Sequence, residues 1–166
     1  MIYIKNFESL NNYSVDLFNI DEAYNLYKKY LEKYDHDYDL STIFSSDIFI
    51  KTCKFVIAYN EKDILGICKF AYFDINGNYA MSYCSTNKDY FNLGISKRLL
   101  EEMFKYFSKE YPDKILTFSG YSIEGWKYLR KYILQYSKKY NVRIFEKGVE
   151  YPGKLGYSDE YWDLVT

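Results

Sequence analysis

The stretch that decides the fold is YCSTNKDYFNLGISKR, residues 83–98. Its first residues continue a β-rich segment, and Gly94 begins an amphipathic helix whose apolar residues, starting with Ile95, Leu99 and Leu100, share one face. A strand followed by a short loop and a helix directs several unpaired backbone N–H groups toward one point. The helix dipole adds about half a positive charge there. The sequence therefore predicts a place where a phosphate or pyrophosphate can bind.

The side chains at the start of this helix suit the same ligand. Ser96 is small enough to let a ligand approach the backbone, and Lys97 and Arg98 can add charge-assisted hydrogen bonds to phosphate. Taken alone, the pattern also fits an ordinary helix start with a glycine near its cap. The elements on either side are needed to choose between these two interpretations.

Apolar periodicity and turn residues predict those other elements. Before the loop we expect a short strand at 2–7, a helix capped by Asp21 and continuing to about Tyr34, a second helix at 41–51, and strands at 55–59, 64–73 and 79–86. Asn76-Gly77 is a hairpin signal between the last two strands. After the loop we expect the amphipathic helix as far as Pro112, a strand at 115–119, a helix over about 122–140 and a last strand at 142–145, while 151–166 has no clear pattern.

Composition limits the class of protein. The 166 residues carry a formal net charge of −1 and 22% aromatic residues, which fits one folded domain spanning 1–166 and excludes wholesale disorder. No apolar run is long enough to cross a membrane, and the first residues show no secretory pattern. Three cysteines without a Cys-x-x-Cys pair argue against a disulfide framework and a zinc site. We therefore expect a cytoplasmic protein with no bound metal and no membrane partner.

The order of these elements resembles that of the Gcn5-related N-acetyltransferases. The resemblance covers about residues 54–146. Gly66, early in the second strand of the antiparallel meander, matches the sequence pattern of that family in this segment. It implies an α+β fold with α/β/α layers, in which helices flank a mixed, mostly antiparallel central sheet. The two helices predicted before residue 54 are consistent with this fold but not specific to it.

In that family a loop of the form Arg/Gln-x-x-Gly-x-Gly/Ala holds the pyrophosphate of an acyl-coenzyme A. On this chain the loop becomes residues 91–96, where Gly94 matches, Ser96 is small, and Phe91 departs from the basic or amide position. The resemblance also implies that the end of the preceding strand contacts the pantetheine and that the strand from Ile115 splays away from it. The implied acetyl-coenzyme A contacts are Cys84, Ser85, Thr86, Asn92, Leu93, Gly94, Ile95, Ser96, Lys97 and Arg98.

The family often places a tyrosine in the next helix, where it protonates the departing thiolate. The matching pattern is Asn-x-x-Ala-x-x-Phe-Tyr, and here the expected tyrosine position is Leu129, with Tyr128 one residue earlier. We assign Tyr128 as the acid and keep Tyr132 as the alternative. The family's strand carboxylate has no counterpart at 79–86, so the base is unassigned; Asp74 and Glu124 are the nearest carboxylates in sequence.

The predicted function is transfer of an acetyl group from acetyl-coenzyme A to a primary amine by direct attack in a ternary complex. The acceptor, a small molecule or a protein amine, is not identified by the sequence, and a homodimer is an open option. The alternative is the same fold with a degraded cofactor loop, retained as a binding module for protein or nucleic acid. Phe91, Leu129 and the missing strand carboxylate favour that alternative.

Three smaller signals have ordinary explanations beside their functional ones. Cys84 can be an acyl-accepting nucleophile or a small packed hydrophobe. His36 and its neighbouring aspartates can hold a metal, attract a cationic amine, or form a solvated acidic loop. The lysines and tyrosines of the helix at 122–140 can bind single-stranded nucleic acid, but the balanced net charge favours a solvated amphipathic helix, so we do not expect a nucleic-acid partner.

Overall fold

The computed structural model describes residues 12–30, 52–73, 78–118, 125–149 and 157–164. Strands in these ranges form one seven-stranded sheet whose spatial order follows the chain order. The elements are β1 Ser14–Phe18, α1 Ile20–Tyr30, β2 Lys54–Tyr59, β3 Ile64–Phe73, β4 Asn78–Thr86, α2 Ile95–Glu110, β5 Ile115–Phe118, α3 Arg130–Tyr140, β6 Arg143–Val149 and β7 Tyr157–Leu164. A 3-10 turn at Lys88–Tyr90 precedes α2, and a π-helical turn at Gly125–Leu129 precedes α3.

The sheet is mixed, and its strand directions follow from the connections. Strands β1 to β4 pair antiparallel, as do β6 and β7. Strand β5 is parallel to both β4 and β6, because a helix lies between each pair in the chain and returns it to the same end of the sheet. The predicted mixed, mostly antiparallel sheet flanked by helices is therefore confirmed.

Two hydrophobic clusters cover the two faces of the sheet. On one face, α2 and α3 bury side chains such as Leu99, Phe104 and Ile133 against the strands. On the other face, α1 buries Ala23 and Tyr27 against β2 and β3. The apolar spacing of the amphipathic helix predicted this correctly, since the residues expected on its buried face are all buried. The result is the predicted order of helix, sheet and helix layers.

Gly66 sets how closely α2 approaches the sheet. A Cβ atom at this position would lie 2.9 Å from the carbonyl oxygen of Ser85 and 3.0 Å from side-chain carbons of Ile95 and Leu99. Only a residue without a side chain fits at that separation. Gly66 therefore allows the first turn of α2 to lie directly over the ends of β3 and β4.

Three sequence predictions need correction. Asp21 does not cap α1: Asn19 does, because the Glu22 N–H donates to Asn19 Oδ1 (3.0 Å) and the Asn19 N–H donates to Glu22 Oε2 (2.8 Å), a reciprocal capping box. Strand β1 was not predicted from the sequence. The last strand does not end at 145: β6 continues to Val149 and pairs with β7, through a register shift that interrupts the apolar alternation.

Some predictions fall on residues outside the described ranges. These are the strand at 2–7, the helix at 41–51, the loop around His36, the Asn76-Gly77 turn, and residues 122–124 at the start of the later helix.

Candidate functional site

The segment between β4 and α2 is held against the sheet by two residues. Asn87 is buried; its N–H donates to the carbonyl of Leu65 (2.9 Å), and its Oδ1 accepts from the N–H of Asp89 (3.1 Å). Tyr90 is also buried, and its hydroxyl donates to Asp63 Oδ2 at 2.6 Å. Burial, reinforced by this hydrogen bond, raises the pKa of Tyr90 well above its ordinary value, so the hydroxyl stays a donor. These bonds fasten the segment to the turn between β2 and β3.

The backbone then turns twice through the left-handed region. Asn92 has φ 65°, and Gly94, the N-cap residue of α2, has φ 74°. A left-handed conformation favours glycine and asparagine over other residues. A Cβ atom on Gly94 would meet no heavy atom within 4 Å, so the backbone at this point faces open space.

The first turn of α2 offers backbone donors to that space. Gly94 has no side chain to cap the helix, and the first helical bond runs from the Arg98 N–H to the Gly94 carbonyl at 3.1 Å. Within the described ranges, the N–H groups of Ile95, Ser96 and Lys97 have no backbone or side-chain acceptor. Nor does this turn contain an acidic residue. The arrangement is that of an anion site at a helix N-terminus.

Thr86 and Ser96 join the end of β4 to the start of α2. Their hydroxyl oxygens lie 2.5 Å apart, and either can donate the hydrogen bond. The predicted contacts at 84–86 and at 92–96 are therefore brought together, although the Ile95 side chain is buried in the core and only its backbone faces outward. Phe91 is 55% exposed at the position where the family loop carries a basic or amide residue.

The two cationic side chains of the first turn point in different directions. Arg98 places its guanidinium carbon 4.6 Å from the centre of the Tyr13 ring, beside β1. Lys97 places its ammonium nitrogen 5.6 Å from the centre of the Tyr132 ring, on α3. Only Lys97 is therefore directed along the α3 side of the loop.

Strand β4 extends beyond its last described pair with β5. Met81 pairs with Phe118, where the described part of β5 ends, and β4 stays paired with β3 as far as Thr86. A register shift leaves Ser82 as an extra residue in β4 directly after the Met81–Phe118 pair. A bulge of this kind bends a strand and increases its twist. The residues that follow Phe118 lie outside the described ranges, so the divergence of the two strands next to the loop stays a prediction.

Cys84 lies on β4 beyond the bulge, directly opposite Cys68 on β3. Cys84 is half-buried and Cys68 is fully buried, and both are free thiols. A hydrogen bond with Cys84, together with burial, raises the pKa of Cys68 well above its ordinary value. The packing of both thiols against the α2 side of the core supports the reading of Cys84 as a small hydrophobe.

The helix carrying the predicted acid begins irregularly. The sequence predicted one continuous α-helix, but residues 125–129 form a π-helical turn and the α-helix starts only at Arg130. Such turns are rare in proteins as a whole, but those that occur often lie at functional sites. Tyr128 lies in this turn and is 52% exposed, with the Lys127 ammonium 4.9 Å from its ring centre. Tyr132, the alternative acid, lies beside Lys97 at the start of α2.

A partly buried ion pair fastens the start of α3 to the sheet. Arg130 donates from Nε to both oxygens of Glu146 (3.0 Å each) and from Nη2 to Oε2 (2.9 Å). Glu146 is 5% exposed and pairs in register with Phe118, so it lies in the same row of the sheet as Phe118 and Met81. Neither this pair nor the anchors Asn87 and Tyr90 was found from the sequence. The Asn87–Asp89 spacing was the one available signal, since asparagine commonly bonds to the backbone two residues on.

Comparisons with known proteins find likeness in structure but not in sequence. No family model matches the chain, and no curated protein matches it. A ribosomal-protein-alanine N-acetyltransferase from Brucella melitensis is similar with a TM-score of 0.49 and 15% identity, over 74% of this chain and 91% of that one. The aminoglycoside 6'-N-acetyltransferase AAC(6')-Ih from Acinetobacter baumannii is similar with a TM-score of 0.44 and 11% identity, over 87% of this chain and 100% of that one. An aminoglycoside N-acetyltransferase, AAC(6')-Iy, in complex with coenzyme A gives a TM-score of 0.46 and 12% identity, over 86% and 95%. All three of these proteins are N-acetyltransferases by name.

No group of three or more histidine, cysteine, aspartate or glutamate side chains in the described ranges is placed to hold a metal ion. No helix in the same part of the chain has the length and apolar character needed to cross a membrane.

Proposed function

We propose that this protein is an N-acyltransferase that moves the acetyl group of acetyl-coenzyme A to a primary amine. The observation that carries the proposal is the start of α2, where the left-handed Gly94 faces open space and three neighbouring N–H groups have no acceptor among the described residues. A pyrophosphate accepts hydrogen bonds from such donors and is stabilised by the helix dipole. A side chain at Gly94 would occupy the space that the ligand needs.

The bulged end of β4 supplies the second part of the binding site. Beyond Met81, β4 remains paired to β3 as far as Thr86, and in the proposed arrangement β5 diverges from it and leaves an edge for an extended ligand beside Cys84 and Thr86. The pantetheine of coenzyme A is an extended chain with amide groups that can pair with a strand edge. In this arrangement the ligand runs from the pyrophosphate at α2 toward the row that contains Met81.

The reaction needs few groups from the protein. The amine nitrogen attacks the thioester carbon, the new N–C bond forms and the C–S bond breaks, and the amine loses a proton while the thiolate gains one. Holding the two reactants together supplies much of the rate acceleration. Tyr128, exposed in the turn before α3, is our candidate to protonate the thiolate. Strand β4 carries no carboxylate, so we assign no residue as the base.

The test is a melting experiment followed by an assay. A ligand at 100 times its dissociation constant adds about 2.7 kcal/mol to the free energy of unfolding. For a domain of this size we expect acetyl-coenzyme A to raise the melting temperature by about 5 °C or more. Release of free thiol in the presence of a panel of amines then measures transfer. No rise in melting temperature at millimolar ligand would contradict the proposal, and a rise without thiol release would favour a binding module built on the same loop.

A further inference from the structure

A compact basic cluster adjoins the loop at Gly94, formed by Lys97 on α2 and Lys131 and Tyr132 on α3. The Lys97 ammonium lies 5.6 Å from the centre of the Tyr132 ring, and the Lys131 ammonium lies 4.9 Å from it. One aromatic ring thus has two cations from different helices beside it, and each is attracted by the negative face of the ring. We call these three residues the lysine–tyrosine cluster.

The charge of this cluster is not balanced by neighbouring acids. Within the described ranges, neither Lys97 nor Lys131 has a carboxylate within ion-pair distance, whereas Lys105, Lys109, Arg130 and Lys139 each have one. The first turns of α2 and α3 also contain no acidic residue. Two cations beside one ring and without a carboxylate partner in the described ranges are available to an anion, which lowers the energy of both when it binds near them.

We propose that Lys97 and Lys131 bind the 3′-phosphate of coenzyme A and so make the protein select coenzyme A over 3′-dephospho-coenzyme A. This proposal rests on the proposed function, because it assumes that the pyrophosphate lies at the start of α2. The 3′-phosphate is attached to the ribose next to that pyrophosphate, so it lies a few ångströms beyond it. Lys97 is in the same helical turn as the pyrophosphate donors and is directed toward α3. There the Lys131 ammonium lies beside the same Tyr132 ring.

The chemistry of the cluster suits a phosphomonoester. Lysine ammonium groups are compact point charges with three donors each, which match the three oxygens of a terminal phosphate. Arg98 does not contribute, because its guanidinium lies over Tyr13 on the β1 side. The role of Tyr132 here is to attract both ammonium groups to its ring.

The experiment compares the dissociation constants of coenzyme A and 3′-dephospho-coenzyme A by titration calorimetry. The proteins are the wild type, the double variant Lys97→Gln/Lys131→Gln, and the control Lys114→Gln/Lys138→Gln. Lys114, just before β5, and Lys138, in the last turn of α3, are exposed lysines, so replacing both also removes two positive charges but away from the loop. We expect the wild type and the control to bind coenzyme A at least about tenfold more tightly than the dephospho form, as for a hydrogen bond to a charged group. The double variant should bind the two ligands equally, with the affinity that the wild type has for the dephospho form.

Each other result overturns the proposal in a distinguishable way. Equal affinity of the wild type for both ligands would show that no group binds the 3′-phosphate, while leaving the loop at Gly94 as a pyrophosphate site. A preference that survives in the double variant would assign the phosphate to other residues. Failure of the wild type to bind either ligand would reject the proposed function and this proposal with it. Equal melting temperatures of the three unliganded proteins would confirm that the variants are folded.

Discussion

Two junctions lead from the parallel strands into helices, and they are built differently. In the β4–α2 junction, residues 86–95, hydrogen bonds from Asn87 and Tyr90 hold the chain, and the backbone itself forms the donors of the candidate site. In the β5–α3 junction, residues 125–130 are a π-helical turn that ends at a partly buried ion pair, and the candidate acid is an exposed side chain.

The difference separates binding from chemistry. A site made of backbone N–H groups tolerates changes in side chains, so the loss of a basic residue at Phe91 leaves its geometry intact. An acid must place one oxygen within hydrogen-bond reach of the leaving group, so a shift of one residue between Tyr128 and Leu129 changes its position by about 100° around a regular helix. We therefore expect the first junction to bind its ligand even if the candidate acid in the second junction is poorly placed for catalysis.

Disrupting the second junction should cause the largest loss of stability among the variants considered. Arg130→Met leaves the buried Glu146 carboxylate without its bidentate partner, and we expect the free energy of unfolding to fall by about 3–5 kcal/mol. The melting temperature should drop by roughly 10 °C or more. The double variant Arg130→Met/Glu146→Leu should recover most of this loss, because the buried charge is removed as well. A double variant no more stable than Arg130→Met would show that the guanidinium matters through other contacts.

Breaking the first junction should abolish binding with less effect on folding. Gly94→Glu places a negative side chain in the open space beside the α2 donors, and we expect the affinity for acetyl-coenzyme A to fall by more than about a hundredfold. The control is Gly94→Ala, which suffers the same backbone strain at φ 74° but adds only a methyl group. Both unliganded variants should melt at similar temperatures, while acetyl-coenzyme A should raise the melting temperature of the alanine variant more. Identical ligand responses would mean that the open space is not the binding site.

The chemistry can be tested separately from binding with Tyr128→Phe. We expect kcat to fall by about a hundredfold, the lower range for general acid catalysis, with the affinity for acetyl-coenzyme A unchanged. Tyr132→Phe removes the same hydroxyl one helical turn later and should retain the wild-type kcat. If Tyr132→Phe loses activity and Tyr128→Phe does not, the assignment of the acid must be exchanged between them.

The sequence predicted the strand and the helix of the first junction because their signals are local. Alternating strands, a glycine before an amphipathic run and a proline after it each follow from nearby residues, and together they indicated the sheet and the helix that packs on it. The ion pair between Arg130 and Glu146 joins residues 16 positions apart on different elements, so no local sequence pattern indicates it. The π-helical turn was also hidden, because residues 125–129 have the composition of an ordinary helix.

The smallest expected effect comes from removing one of the hydrogen bonds that hold the first junction against the sheet. Tyr90→Phe removes the hydroxyl that donates to Asp63 at 2.6 Å, and we expect a loss of about 1 kcal/mol, or roughly 2–4 °C in melting temperature. Tyr128→Phe makes the same chemical change at an exposed ring and should leave the melting temperature unchanged. Because the Tyr90 hydroxyl fastens the segment that presents the α2 donors, its loss should also weaken acetyl-coenzyme A binding a few-fold. Unaltered affinity in a destabilised Tyr90→Phe variant would instead indicate that Gly94, Asn92 and the Thr86–Ser96 bond hold the donors in place without it.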